Sequence, residues 1–385
     1  MAQKMKCVRK VRPEVGLVVQ ELAVPAVGPT DVLVQVEAAS LCGTDLHIWK
    51  WDEWASQRIK PPLTLGHEFA GTVVEVGSEV HHVKVGDYVS AESHVTCGMC
   101  YQCRTGQAHM CPKTSILGVD RDGAFAEYVA VPEKVIWQND RSKLPPEIAT
   151  LQEPFGNAVF TVFAQPVTGQ TMGVFGCGPI GCFSIGIAKA CGAAAVYATD
   201  VIDYRLELAT RMGADAVFNA RGSGGKVSSV DRVVEWMVKA NKASGVDISL
   251  EMSGAPEAIT AAFRAVRNGG HVTLFGIPAR PVEIDVAENM IFKNLTVLGL
   301  NGRRIFDTWY RTQWLLESGA VDLRPLVTHD MPLERIDHAV HLLLEGQGCK
   351  IVLRPGAAKA SPAPPRQAAD AETEPANIRG EVIHR

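Results

Sequence analysis

Nowhere is this chain of 385 residues apolar for long enough to cross a bilayer. Windows such as 172–188 are broken by Gly and Pro and end at Lys189, short of the roughly 20 residues a span needs. Nor does one charge sign dominate. A formal net charge of −4, with 38 basic and 42 acidic residues scattered along the chain, gives no electrostatic case for nucleic acid or for an acidic membrane surface. The amino-terminal stretch from Met1 to Lys10 has charges but lacks the apolar core and cleavage site of a signal peptide. No internal repeat is evident. A content of 46 % hydrophobic and 21 % charged residues is that of a globular protein long enough for two domains. The expectation is a soluble, cytoplasmic protein whose partner is a small molecule. Residues 355–385 are the exception, with almost no large apolar side chains to offset their ordering entropy, and are expected to form a disordered tail.

Cysteine is present in a telling place. Cys97, Cys100, Cys103 and Cys111 fall within fifteen residues. Thiolates three residues apart can hold one small tetrahedral ion from a single loop, and four of them leave no open position, which describes a closed, structural zinc site. Two disulfides are the alternative, and they need an oxidising compartment that the amino terminus does not indicate.

The first 150 residues are dense in Gly, Pro and Val with short alternating runs. Residues 31–37, 71–77, 85–90 and 125–131 read as strands bounded by turn residues, so this region is expected to be all-β and barrel-like. After Glu153-Pro154 the pattern changes to strand, Gly-rich turn and helix. Strands at 171–175, 195–199, 247–251 and 271–275 alternate with helical stretches through Lys189 and over 204–212, which implies an α/β, doubly wound parallel sheet. From about Leu298 to Leu353 we expect helices and a final strand, Lys350–Leu353, returning to the first domain.

Gly176-Cys177-Gly178-Pro179-Ile180-Gly181 follows the strand at 171–175 and opens a helix, and Asp200 stands nineteen residues after Gly181 at the end of the next strand. That context converts a weak glycine motif into a dinucleotide fingerprint. The glycines let backbone N–H groups approach a pyrophosphate at a helix N-terminus, and the carboxylate suits ribose hydroxyls. Asp200 would also repel a 2′-phosphate, favouring NAD, although a guanidinium such as Arg205 can accommodate one.

A closed zinc site cannot polarise a substrate. One thiolate, one imidazole and one carboxylate, Cys42, His67 and Glu68, offer the three-ligand pattern with an open position, and Glu153 at the domain junction is a candidate fourth, exchangeable ligand or a group that orients water. Taken singly, each has a structural alternative: a small core residue, a satisfied histidine, a surface charge.

On the four-cysteine lobe, Gly66-His67-Glu68 and the 176–181 turn, residues 1 to about 354 resemble the zinc-dependent medium-chain alcohol dehydrogenase family. Longer stretches at 42–54, 153–159, 200–209 and 250–256 resemble its threonine-oxidising members. The resemblance implies a GroES-like β-barrel catalytic domain over 1–155 with a structural zinc lobe near 94–113, a Rossmann NAD-binding domain over 156–297, and a return segment over 298–354 that completes the catalytic domain. It implies two zinc ions per subunit, the catalytic one on Cys42, His67 and Glu68, with Thr44 and His47 as a proton relay. NAD would meet Gly176, Gly178, Ile180, Gly181, Asp200, Arg205, Phe275, Gly276, Ile277, Leu300 and Asn301. It further implies L-threonine as the substrate, 2-amino-3-oxobutanoate as the product, and a homotetramer. One residue departs from the pattern: Glu153 stands where the threonine enzymes carry Asp and the polyol dehydrogenases carry Glu. A polyol or diol dehydrogenase is therefore the near rival. A non-catalytic NAD-binding homologue is the distant one, opposed by the joint presence of Cys42, Thr44, His47, His67 and Glu68.

Overall fold

Asp31–Ser40 (β1) places Val32, Leu33, Val34 and Val36 in the interior and pairs with strands on both sides, which puts it at the centre of a mixed sheet. The computed structural model describes residues 3–222, 228–242 and 244–356. Behind β1 come a helix, Gly43–Lys50 (α1), and the strands Glu68–Val76 (β2), Tyr88–Ala91 (β3), Tyr128–Pro132 (β4) and Ile136–Gln138 (β5). A helix, Gln152–Val162 (α2), leads out of this region. Then follow Thr171–Phe175 (β6), Pro179–Ala190 (α3), Ala195–Asp200 (β7), Asp203–Arg211 (α4), Ala216–Asn219 (β8), Val230–Ala240 (α5), Val246–Glu251 (β9), Pro256–Ala265 (α6), Val266–Leu274 (β10) and Thr296–Gly299 (β11). The chain closes with Asp307–Glu317 (α7), Val327–Pro332 (β12), Ile336–Leu344 (α8) and Lys350–Arg354 (β13).

The second set of strands forms a six-stranded sheet in the order β8-β7-β6-β9-β10-β11, with every pairing parallel. That order reverses between β6 and β9, the switch point at which open α/β sheets leave a crevice beyond their carboxyl ends. Apolar chains fill both faces, Phe183, Ile185 and Leu250 on one and Val233, Met237 and Phe263 on the other. The first set is ordered β5-β3-β2-β1-β13-β12, with β4 also on β1. Its core includes Val34, Leu41, Phe69, Val89, Phe125 and Leu353, so the last strand of the fold is buried in the first region.

Two features depart from the expected return segment. Residues 296–299 still belong to the six-stranded sheet, and a second strand, β12, runs parallel to β13. β12 escapes a sequence reading because it is polar in the middle and ends at Pro332, as edge strands tolerate. The tail lies outside the described residues from position 357 onward. No helix among the described residues is long and apolar enough to cross a membrane.

Register in the mixed sheet brings distant parts of the chain to one edge. Ser40 pairs with Glu68 across the antiparallel β1–β2 ladder, and Val352 pairs with Ser40 from the other side. The end of β1, the start of β2 and the start of β13 therefore meet at one rim.

Candidate active site and cofactor cleft

At that rim the ligand atoms of Cys42, His67 and Glu68 lie within 4.8 Å of one another. Cys42 is the residue before α1. Asp45 reaches back from the first turn to accept a hydrogen bond from the Cys42 backbone N–H at 2.9 Å, which fixes the thiol at the helix entrance. Glu68 opens β2 and His67 immediately precedes it, and both side chains are buried. Burial alone would lower the His67 pKa, but Cys42, Asp45 and Glu153 overcome it and hold the ring well above its ordinary value. Such a negative pocket suits a cation. Nδ1 of His67 stands 4.0 Å from Oδ1 of Asp45, and neither atom has a hydrogen-bond partner. A small contraction would join them, leaving Nε2 for a metal in the carboxylate–histidine–metal pattern.

Glu68 is held from behind. Its Oε2 accepts from the Lys350 ammonium and the Ser40 hydroxyl, while Oε1 is buried without a partner. An orphaned carboxylate oxygen beside a thiolate and an imidazole is the donor set a zinc ion requires. Lys350 also donates to the Leu41 carbonyl at 2.7 Å, so the last strand anchors both the ligand and the loop that carries Cys42.

Glu153 is drawn the other way. It accepts from Ser93 Oγ at 2.6 Å and from the Arg303 guanidinium at 2.6 Å, the latter a pair with both side chains almost wholly buried. Arg303 simultaneously grips Glu92, whose Oε2 also accepts from Trp309 Nε1 at 2.8 Å. Glu92, His94 and Glu153 are close enough to suggest a further metal set, but the Arg303 guanidinium already pairs with both carboxylates. Burial pushes Glu153 up, and Arg303 and His67 together bring it below the usual carboxylate range.

Thr44 Oγ1 lies 3.7 Å from the Cys42 sulfur, and His47 stands three residues on along α1 with most of its side chain in solvent. Its Nδ1 is hydrogen-bonded to Asp52. The two candidate relay residues therefore run from the metal pocket to the surface on one helix face.

The four sulfurs of Cys97, Cys100, Cys103 and Cys111 also lie within 4.8 Å of one another, with Cys97 and Cys111 3.5 Å apart. A tetrahedral zinc with bonds of about 2.3 Å separates its sulfurs by about 3.8 Å, so the loop is shaped for the ion. Backbone N–H groups of Cys97 and Lys113 outweigh burial and lower the Cys111 thiol pKa to about 6.

At the Gly-rich turn, Gly176 has a φ of 103°, and a Cβ at Gly181 would stand 2.0 Å from the Gly176 carbonyl oxygen. Gly178, immediately before α3, differs: a Cβ there would meet nothing within 4 Å. Gly176 and Gly181 let the turn close, while Gly178 keeps the helix N-terminus open for a phosphate. Asp200 accepts hydrogen bonds from the backbone N–H groups of Cys177, Val201 and Ile202, with Arg205 3.9 Å away. Oδ1 accepts two of these, from Val201 and Ile202, and is filled, while Oδ2 accepts only from Cys177 and keeps a lone pair for a ribose hydroxyl. Across the sheet, Phe275, Gly276, Ile277, Leu300 and Asn301 line one cleft of about 580 Å³. Next to it the Glu251 carboxylate accepts from the N–H groups of Ser253 and Gly254, and the Glu251 carbonyl accepts from the N–H groups of Phe275 and Gly276.

Asp45, Lys350, Arg303 and Glu251 join the site without having stood out in the sequence. Only Asp45 had a local signal, as an acidic residue three after Cys42.

Known proteins resemble this chain in both sequence and fold. Residues 28–141 match the alcohol dehydrogenase GroES-like domain, and residues 179–317 match the zinc-binding dehydrogenase domain. An L-threonine 3-dehydrogenase of Symbiobacterium thermophilum is 49 % identical over 92 % of this chain and 99 % of its own length. One from Pyrococcus abyssi is 46 % identical over 91 % and 99 %. Among solved structures, 2R,3R-butanediol dehydrogenase from Bacillus subtilis superposes with a TM-score of 0.80 at 28 % identity, covering 91 % of this chain and 99 % of that one. An alcohol dehydrogenase from Escherichia coli in complex with NADH superposes with a TM-score of 0.80 at 27 % identity, over 92 % and 100 %. With both domain models matched in order and relatives 43 to 49 % identical over nearly their whole length, this chain belongs to the zinc-binding, GroES-like alcohol dehydrogenase family.

Proposed function

We propose that this protein is an L-threonine 3-dehydrogenase, oxidising the 3-hydroxyl of L-threonine with NAD⁺ to give 2-amino-3-oxobutanoate and NADH. The observation that carries the reading is the intact Cys42–His67–Glu68 set beside Thr44, in a chain 43 to 49 % identical to proteins of that name over nearly their whole length. Zinc bound there supplies a Lewis acid that favours loss of the hydroxyl proton, and NAD⁺ supplies the hydride acceptor. Thr44 takes that proton at Oγ1 and passes its own outward. His47, exposed on the same helix, delivers it to water. Gly176, Gly178 and Gly181 with Ile180 receive the pyrophosphate. Asp200 and Arg205 receive the adenosine ribose, and Phe275, Gly276, Ile277, Leu300 and Asn301 the nicotinamide half. Glu153, held by Arg303 and Ser93, orients water or substrate at the metal.

We also infer a cytoplasmic homotetramer. Exposed apolar side chains at Ile291 and Phe292, just before the edge strand β11, support self-association, and sedimentation checks it. NADH formation from L-threonine, sorbitol and 2,3-butanediol tests the activity. Threonine should be strongly preferred; preference for either polyol overturns the substrate assignment.

A further inference from the structure

The four-cysteine lobe does not stand apart from the cleft. Between Cys103 and Cys111 the chain turns through Gln107 and a short helical turn, Ala108–Met110. Gln107, His109 and Met110 form one wall of the same 580 Å³ cleft whose other wall is Phe275–Pro278 and Gly299–Asn301. The two walls touch where the Asn301 side-chain amide lies 4.0 Å from the Met110 sulfur, and the His109 ring meets Phe160 of α2, which also lines the cleft, edge-on at 5.5 Å. His109 is half-buried, yet neither ring nitrogen has a hydrogen-bond partner among the described residues, and Nδ1 is sealed from solvent. A half-buried imidazole that lines a cleft and satisfies neither nitrogen is an incomplete site.

The sheet order says which part of a dinucleotide lies there. Asp200 ends β7 and the Gly-rich turn ends β6, whereas Phe275 follows β10 and Leu300 follows β11. With strands about 4.8 Å apart, β10 lies about 14 Å from β7 along the sheet, roughly the span from the adenosine to the nicotinamide of an extended cofactor. The group that reaches this wall is therefore the nicotinamide, whose carboxamide has both a donor and an acceptor and can match either imidazole tautomer.

We propose that the turn of the four-cysteine lobe, through His109 with Gln107 and Met110 beside it, is a binding wall for the nicotinamide half of the cofactor, so that the metal holding the lobe together also shapes that end of the cleft. This rests on the dehydrogenase reading above. The test uses full-length, zinc-loaded protein and compares the affinity for NADH with that for ADP-ribose, which lacks the nicotinamide, by calorimetry. His109→Ala should weaken NADH binding about five- to twenty-fold and leave ADP-ribose within two-fold. Gln107→Ala, at an exposed position that cannot unseat the lobe, should shift NADH in the same direction by a smaller factor. Unchanged NADH affinity in both variants overturns the proposal, as does equal weakening of both ligands. Wild-type protein that binds ADP-ribose and NADH equally well overturns it too. Wild type that binds neither overturns the cofactor reading itself and this inference with it.

Discussion

The pairing of Lys350 with Glu68 has an asymmetric energy. Two charges with almost no solvent contact recover their desolvation cost mainly from each other, so removing one leaves the other stranded. Lys350→Met should therefore destabilise the fold by about 3–5 kcal/mol, read from the shift of a urea unfolding midpoint. Asp45 acts more gently. It faces the far nitrogen of His67, and Asp45→Asn should weaken zinc binding at the Cys42 site by about 10- to 100-fold in chelator competition while the four-cysteine site is unaffected.

Glu92 gives the protein an acid limit. Burial raises its pKa, but Arg303 and His94 overcome that and hold it far below its ordinary value of 4.5. A carboxylate with a depressed folded-state pKa contributes stability that is fully present above its unfolded value and is lost as pH falls toward the folded one. The contribution of Glu92 should thus be intact at neutral pH and fall away below about pH 4.5. Glu92→Gln should be less stable than wild type at pH 7, and its stability should decline less steeply between pH 5 and 3 in parallel denaturation curves. An unchanged slope would remove Glu92 from the acid response.

At the scale of elements, the turn into α3 separates two uses of glycine. Gly181→Ala forces a methyl to 2.0 Å from a carbonyl oxygen, an overpacking that should cost at least about 1–3 kcal/mol and lower the melting temperature. Gly178→Ala meets no protein atom, so its melting temperature should stay near wild type while NADH affinity falls, because the methyl occupies the approach of the pyrophosphate. Should Gly178→Ala bind NADH normally, the pyrophosphate lies elsewhere.

The same turn shows why part of the site could be read from sequence. The Gly-rich turn and the four-cysteine lobe each complete their geometry within about fifteen residues, so spacing carries the information. Cys42 and His67 needed a family resemblance, since register between two strands brings them together. Lys350 and Arg303 had no local pattern at all: they meet Glu68 and Glu92 across 282 and 211 residues of chain. An isolated Lys or Arg in a sequence reads as a solvated charge, and only the packed fold shows that these two are buried.

For the molecule as a whole, two metal sites imply two separable losses. Cys97→Ser and Cys42→Ser should each reduce zinc from two ions per chain to one. The first should lower the melting temperature, because a closed site contributes folding energy directly. The second should abolish turnover while NADH still binds. A Cys42→Ser variant that retains activity would sink the catalytic assignment. The fold class was legible because the strand–helix alternation is long and regular. The return of the chain was only half legible, because β12 and β13 enter the mixed sheet by pairing with each other and with β1, far away in sequence.

That return has a consequence for the order of synthesis. The candidate ligands Cys42, His67 and Glu68 lie close together in the chain, but the ammonium that steadies Glu68 is translated 282 residues after it. A ribosome-bound chain can assemble the four-cysteine lobe early, yet until the final strand emerges Glu68 lacks its counter-charge. The centre that appears first in the message is the last to be finished, and fragments ending before Lys350 should emerge as nucleotide binders without a competent catalytic rim.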